Sequence, residues 1–226
     1  MRAIIFDFDG TLYSSENPLK DLIDQRTNEF LHNHGIEDIV SLEQRIPNVL
    51  EALDYFSLDR KEYNNFVYDE LKYDNYLKED CILNKLLMQV SCPKSVVSLS
   101  PKKHLMAAME HLNILSFFNE VISICDIPQL VSKKNIYSSI LEKNDRDAKN
   151  IVCIGDSYEI DLFPARQLGM TVFLCSNRTR GDNSIKSFNN IKSCLTSLLS
   201  KTNCAIFIPS NNHADSDMVD ENGTSF

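Results

Sequence analysis

Four apolar residues, Ala3-Ile4-Ile5-Phe6, run straight into Asp7-Phe8-Asp9-Gly10 near the start of the chain. A short run that is apolar on both faces is what a central parallel strand requires. Ser95–Leu99 and Asn150–Ile154 repeat the pattern, and Val121–Ile124, Thr171–Leu174 and Ala205–Ile208 repeat it more weakly. Between these runs lie stretches of helical period, such as Leu105 to Leu112 and Ile136 to Leu141. Strands alternating with helices predict an α/β fold with a doubly wound parallel sheet.

Residues 14–94 follow a different rule. Leu19, Leu22, Ile23, Phe30 and Leu31 recur at helical spacing, with Asn17 as N-cap and Pro18 in the first turn. Leu50, Leu53 and Phe56, then Phe66, Val67 and Leu71, then Ile82, Leu86 and Leu87 continue it. The pattern predicts an all-helical domain, 14–94, inserted into a core made of residues 1–13 and 95–209. Residues 210–226 are rich in Asn, Asp and Ser with little to bury, and are expected to form a disordered tail.

The composition is that of an ordinary globular protein: 226 residues, 43% hydrophobic and 24% charged. The net charge of −9 argues against a non-specific nucleic-acid binder and against a basic membrane-surface protein. The seven cysteines are scattered, with no CxxC pair or zinc-like Cys/His spacing, and read as reduced residues of a cytoplasmic protein. No apolar stretch approaches the ~18 residues of a membrane span.

The chemistry concentrates at the strand ends. Asp7 and Asp9 follow the first strand, where the ligand crevice of an open α/β sheet lies. Two carboxylates so close are costly unless a cation or a shared proton relieves them, and hard oxygen ligands suit Mg²⁺. Gly155-Asp156-Ser157-Tyr158-Glu159-Ile160-Asp161 follows another strand and adds Asp156 and Asp161, two more carboxylates five residues apart. Each acidic turn alone has a bland explanation, but together they favour one shared cation site. Ser98 ends a strand and could hold a phosphate oxygen with the backbone N–H groups of the following turn. Lys133, or its neighbour Lys134, could neutralise charge on a transferring phosphoryl group. His104 and His111 read as ordinary surface residues. Tyr13, Tyr55, Tyr63, Tyr68, Tyr73 and Tyr76 read mainly as packing or surface aromatics, with stacking on a ligand as the alternative.

The segments Asp7–Tyr13 (DFDGTLY), Ser98, Lys133 and Gly155–Asp161 (GDSYEID) resemble, in order and spacing, the four motifs of the haloacid dehalogenase-like hydrolase superfamily. The resemblance covers residues 1 to about 175, and the helical insert corresponds to that superfamily's cap. It implies that Asp7 is the nucleophile, Asp9 the general acid and then base, and that Thr11 orients Asp9. It further implies that Ser98 and Lys133 bind the phosphoryl group. Asp7, Asp156 and the backbone carbonyl of Asp9 would hold Mg²⁺, with Asp161 behind them. Acting as an acid near neutrality would call for a raised pKa at Asp9.

The cap resembles most that of the pyrimidine 5′-nucleotidase branch, through Leu12-Tyr13, Lys20–Gln25 and Glu62-Tyr63-Asn64. The implied function is Mg²⁺-dependent hydrolysis of a small phosphorylated metabolite through a phosphoaspartate, with a nucleoside monophosphate as one candidate. The alternatives are a phosphomutase or a weakly catalytic regulatory protein on the same fold. The expected assembly is a monomer or homodimer, with no nucleic-acid polymer or membrane as partner. The −9 does not oppose a phosphate substrate. Residues 14–94 carry a net −7 and 201–226 a net −3, which leaves the remainder at +1.

Overall fold

The computed structural model describes residues 1–37, 46, 48–176 and 185–201. Its centre is a six-stranded sheet in the order β3-β2-β1-β4-β5-β6. The strands are β1 Ala3–Phe6, β2 Lys94–Ser98, β3 Glu120–Ser123, β4 Ile151–Gly155, β5 Thr171–Cys175 and β6 Lys186–Phe188. Every pairing is parallel. All four residues of β1 and all five of β4 are buried, which explains why their sequences are apolar without alternation.

The five strands expected before residue 176 all form, each within one residue of the expected bounds. The short β6 has no apolar run to announce it, and Ala205–Ile208 lies outside the described residues. The order reverses between β1 and β4, so the crevice beyond the carboxyl ends of these two strands is the place where such sheets bind ligands.

All described elements between β1 and β2 are helical: α1 Pro18–Asn33, α2 Val49–Tyr55, α3 Arg60–Tyr68, the 3₁₀ turn Tyr73–Asn75 and α4 Cys81–Gln89. Asn17 caps α1 by accepting from the Leu19 N–H at 2.9 Å, and Pro18 fills the first helical position. Leu19, Ile23, Phe30 and Leu31 form the buried stripe of α1. Phe30 meets Tyr63 edge-on at 5.4 Å and Phe66 at 5.7 Å, which fastens α1 to α3.

Two polar anchors tie these helices to the loop ahead of residue 133. Asn48 caps α2 and donates to the Val131 carbonyl at 3.1 Å. Arg60, held by Asp54, donates to the Leu130 carbonyl at 2.9 Å. The remaining helices are α5 Lys102–His111, α6 Lys134–Lys143, α7 Phe163–Gln167 and α8 Ile191–Lys201. Among the described residues, no helix is long and apolar enough to cross a membrane.

Phe30 is 1% exposed, so Phe30→Ala is expected to cost about 3–5 kcal/mol and to loosen α1 from α3. Urea denaturation followed by circular dichroism measures this. A loss below about 1 kcal/mol would contradict the assigned packing.

Candidate active site

Asp7 continues β1 into the crevice, its N–H donating to the Ile154 carbonyl at 2.8 Å. Its side chain is 6% exposed. One carboxylate oxygen accepts from Lys133 Nζ at 2.6 Å and the other from Thr11 Oγ1 at 3.1 Å. Lys133 is 1% exposed and donates a second bond, also of 2.6 Å, to Asp161 Oδ1. It stands at the N-cap of α6, where the helix dipole disfavours a cation. The carboxylates therefore hold it there, and Lys134 next to it is exposed. Of the two candidate lysines, Lys133 is the one in the site.

Asp161 is placed by a single π-helical turn, Tyr158–Leu162, a distortion that recurs at functional sites. Its second carboxylate oxygen accepts from the Ser157 N–H at 3.0 Å. A Cβ on residue 155 would come within 2.5 Å of Asp161, so only glycine lets the strand end pass beneath that carboxylate. Gly10 plays the same part for Asp156. Its φ is +82°, and a Cβ there would overlap the Asp156 carboxylate.

Asp7, Asp156 and Asp161 each offer an oxygen within 4.8 Å of the others. Three carboxylates against one lysine leave an excess of negative charge in a largely buried space. Burial, reinforced by Asp161, pushes Asp7 up to about 7 against the pull of Lys133. Burial, with Asp7 and Asp161, pushes Asp156 up to about 8. Lys133 moves upward, because the charges of Asp161 and Asp7 outweigh its burial. Such a set of hard oxygen donors fits a metal ion. A further cation approaches from α1, where Lys20 is paired with Asp24 at 3.0 Å and acts electrostatically on Asp156 and Asp9.

Asp9 has different partners. Tyr13 donates to Oδ1 at 2.6 Å, Ser100 to Oδ2 at 2.5 Å and Ser98 to Oδ2 at 3.4 Å. His104 Nε2 lies 3.5 Å from Oδ1, an ion-pair distance without a formed hydrogen bond. Burial alone would raise Asp9, but His104, Ser100 and Tyr13 overcome it and bring the carboxyl down to about 2.

Three expectations are corrected here. Thr11 bonds to Asp7 rather than to Asp9, because its hydroxyl in the turn after β1 faces the Asp7 carboxylate. Asp9 has a lowered pKa rather than a raised one, because donors surround it. His104 is a buried residue, 2% exposed, rather than a surface one. Its burial was legible in the helical period: residues 104, 105, 108, 109 and 112 form one buried stripe. Nothing in the sequence pairs Ser100 with Asp9, since that depends on where the β2 turn meets the β1 turn, and the bond from Tyr13, four residues after Asp9, depends on the path of the β1 turn itself.

A parallel sheet with four carboxylates and a buried lysine at its switch point defines a protein of the α/β class with a strand-end aspartate centre. The profile of the haloacid dehalogenase-like hydrolases matches residues 4–175, and the chain belongs to that family. No curated protein sequence matches significantly. Among solved structures, a phosphatase of this family from Thermococcus onnurineus is 21% identical, with a TM-score of 0.54, covering 88% of this chain and 98% of its own. A candidate β-phosphoglucomutase from Thermotoga maritima is 16% identical, with a TM-score of 0.60, covering 89% and 100%. An L-2-haloacid dehalogenase from Xanthobacter autotrophicus is 13% identical, with a TM-score of 0.55, covering 88% and 98%. The three differ in chemistry on one architecture, so the fold does not select the reaction.

The carboxylate cluster sets a pH dependence of stability. Asp7 and Asp156 hold protons more tightly when folded than at the ordinary 3.8, so the folded state binds more protons across that interval. Stability without divalent cation is therefore expected to fall as pH rises from about 4 to about 8, and added Mg²⁺ should restore it most at the upper end. Thermal melts across this range with EDTA or Mg²⁺ test it, and Asp156→Asn should flatten the EDTA curve. A cation effect equal at all pH values would count against the assignment.

Proposed function

We propose that this chain is a Mg²⁺-dependent phosphatase that hydrolyses a small phosphate monoester through a phosphoaspartate. The observation that carries this reading is the division of labour between Asp7 and Asp9. Asp7 faces the cation-binding side with Lys133, whereas Asp9 sits apart among hydroxyl donors. Breaking a carbon–halogen bond needs no proton donor at the position of Asp9, but expelling an alkoxide does.

The residues support a two-step reaction. Asp7 attacks phosphorus while the bond from phosphorus to the ester oxygen breaks, and Asp9 protonates that oxygen. Water then attacks the phosphoaspartate, Asp9 accepts its proton, and the bond from Asp7 to phosphorus breaks to release inorganic phosphate. Because Asp9 rests ionised, the proton it delivers arrives with the substrate, as a phosphate monoester with a second pKa of about 6 can supply. Lys133 and Ser98 would hold phosphoryl oxygens. Asp7, Asp156 and Asp161 would hold Mg²⁺, directly or behind the first ligands, together with the Asp9 backbone carbonyl. When bound, Mg²⁺ neutralises the charge that a carboxylate meets on approaching a phosphate dianion.

The helical insert, acting as a cap, supplies a place for the rest of the substrate. A cleft of about 600 Å³ lies between α3 and the turns after β2 and β3. Asn64, Asn65, Tyr68, Tyr73, Lys103 and His104 line part of it. Beside charged side chains such as Arg60, Lys61 and Asp126, its amides and aromatics suit a planar, hydrogen-bonding group, which keeps a nucleoside monophosphate among the candidate substrates.

A panel of phosphate monoesters assayed for phosphate release with Mg²⁺ or EDTA tests the proposal. Release is expected only with the cation, and Asp7→Asn should lower it by more than about a thousandfold. Isomerisation of a sugar phosphate without release would identify a mutase instead. Absence of both reactions would sink the enzyme reading.

A further inference from the structure

Two tyrosines of the helical insert reach the Asp9 pocket through one intermediary each. Tyr73, in the 3₁₀ turn after α3, makes a 2.8 Å bond to His104 Nδ1, and the other ring nitrogen of His104 faces Asp9 Oδ1 at 3.5 Å. Tyr68, the last residue of α3, lies 3.3 Å from Ser100 Oγ, which donates to Asp9 Oδ2. The imidazole is packed edge-on to Phe8 at 6.1 Å and tilted against Tyr68 at 4.9 Å. It cannot turn away without opening the core. Its Nε2 is buried and has no formed hydrogen bond, an arrangement that proteins keep only where something specific holds or uses the group.

We propose that His104 and Tyr73 are positioning residues for Asp9, by which the insert aims the acid carboxylate at the leaving oxygen. The inference rests on the phosphatase reading above. The direction of the hydrogen bonds follows from charge. An Asp9 carboxylate repels a lone pair on Nε2, so Nε2 carries the proton and Nδ1 is the acceptor. Tyr73 therefore donates its O–H to Nδ1, fixing the tautomer that turns an N–H toward Asp9. Without the phenol, the ring is free to adopt the other tautomer and present a lone pair to the carboxylate. Tyr68 supports the second oxygen of Asp9 in parallel, through Ser100. Neither tyrosine touches Asp9, so each acts through its partner.

The role separates from a merely structural one by its dependence on the leaving group. Glycerol phosphate expels an alkoxide that needs a proton, whereas p-nitrophenyl phosphate expels a stable phenolate that does not. Tyr73→Phe is expected to lower kcat/KM about tenfold on glycerol phosphate, and His104→Ala about a hundredfold, with much smaller losses on p-nitrophenyl phosphate. His104→Gln, which can still direct an N–H at Asp9, should recover part of the loss. Nitrogen-15 NMR of the wild type should show His104 protonated at Nε2, and Tyr73→Phe should show a mixture of tautomers. Melting curves confirm that each variant folds. Equal losses on both esters, or wild-type His104 protonated at Nδ1 alone, would overturn the proposal. A wild type that releases phosphate from no monoester of the panel, these two included, overturns the phosphatase reading as well, which sets that failure apart from the other two.

Discussion

Lys133 is an ammonium group sealed from water between Asp7 and Asp161, with two bonds of 2.6 Å. Taking such a charge out of water costs several kcal/mol, and only close, well-aligned counter-charges offset it. The surrounding structure can be understood as the means of supplying them. The strand ends of β1 and β4 bring Asp7 and the π-helical turn of Asp161 together, and the start of α6 delivers the lysine against the preference of its own dipole. Removing the lysine would leave the buried carboxylates uncompensated. The lysine also limits how negative the site is, leaving an excess that suits a divalent cation.

The close approach of these carboxylates depends on two glycines more than on any attraction. At Gly10 and Gly155, a single methyl group would occupy the space of the Asp156 and Asp161 side chains. The strand-end motifs are thus steric solutions as well as chemical ones. Their glycines make room for charges that would otherwise keep apart, and a metal ion or the lysine supplies the reason for the charges to stay.

Asp9 is organised on the opposite principle. Its neighbours are Tyr13, Ser98, Ser100 and His104, which are neutral donors or a histidine, and they hold the carboxyl ionised. Two adjoining aspartates on one turn thereby acquire contrasting properties, Asp7 pushed up by burial and its acidic company and Asp9 pulled down by its donors. The donors around Asp9 are in turn held by Tyr68 and Tyr73 of the insert. The helices between β1 and β2 therefore support the surroundings of Asp9 as well as forming a wall of the cleft.

Much of this was readable from the amino-acid order because it is local. A run of apolar residues followed by Asp-x-Asp-Gly, or by Gly-Asp with an Asp five residues on, marks a strand, a turn and their charges within a few residues. Helical periodicity likewise marked the insert, and the Asn17–Pro18 pair marked the start of α1. What the order could not settle were contacts between segments distant in the chain. Whether Lys133 or Lys134 enters the site depends on the phase of α6 against the sheet. Whether Thr11 serves Asp7 or Asp9 depends on the path of one turn. The partnership of His104 with Tyr73 needs α5 packed against the insert. Spacing along a chain fixes which residues share a face, but the facing neighbour, and hence burial, charge state and hydrogen-bond direction, comes only from the packed tertiary structure.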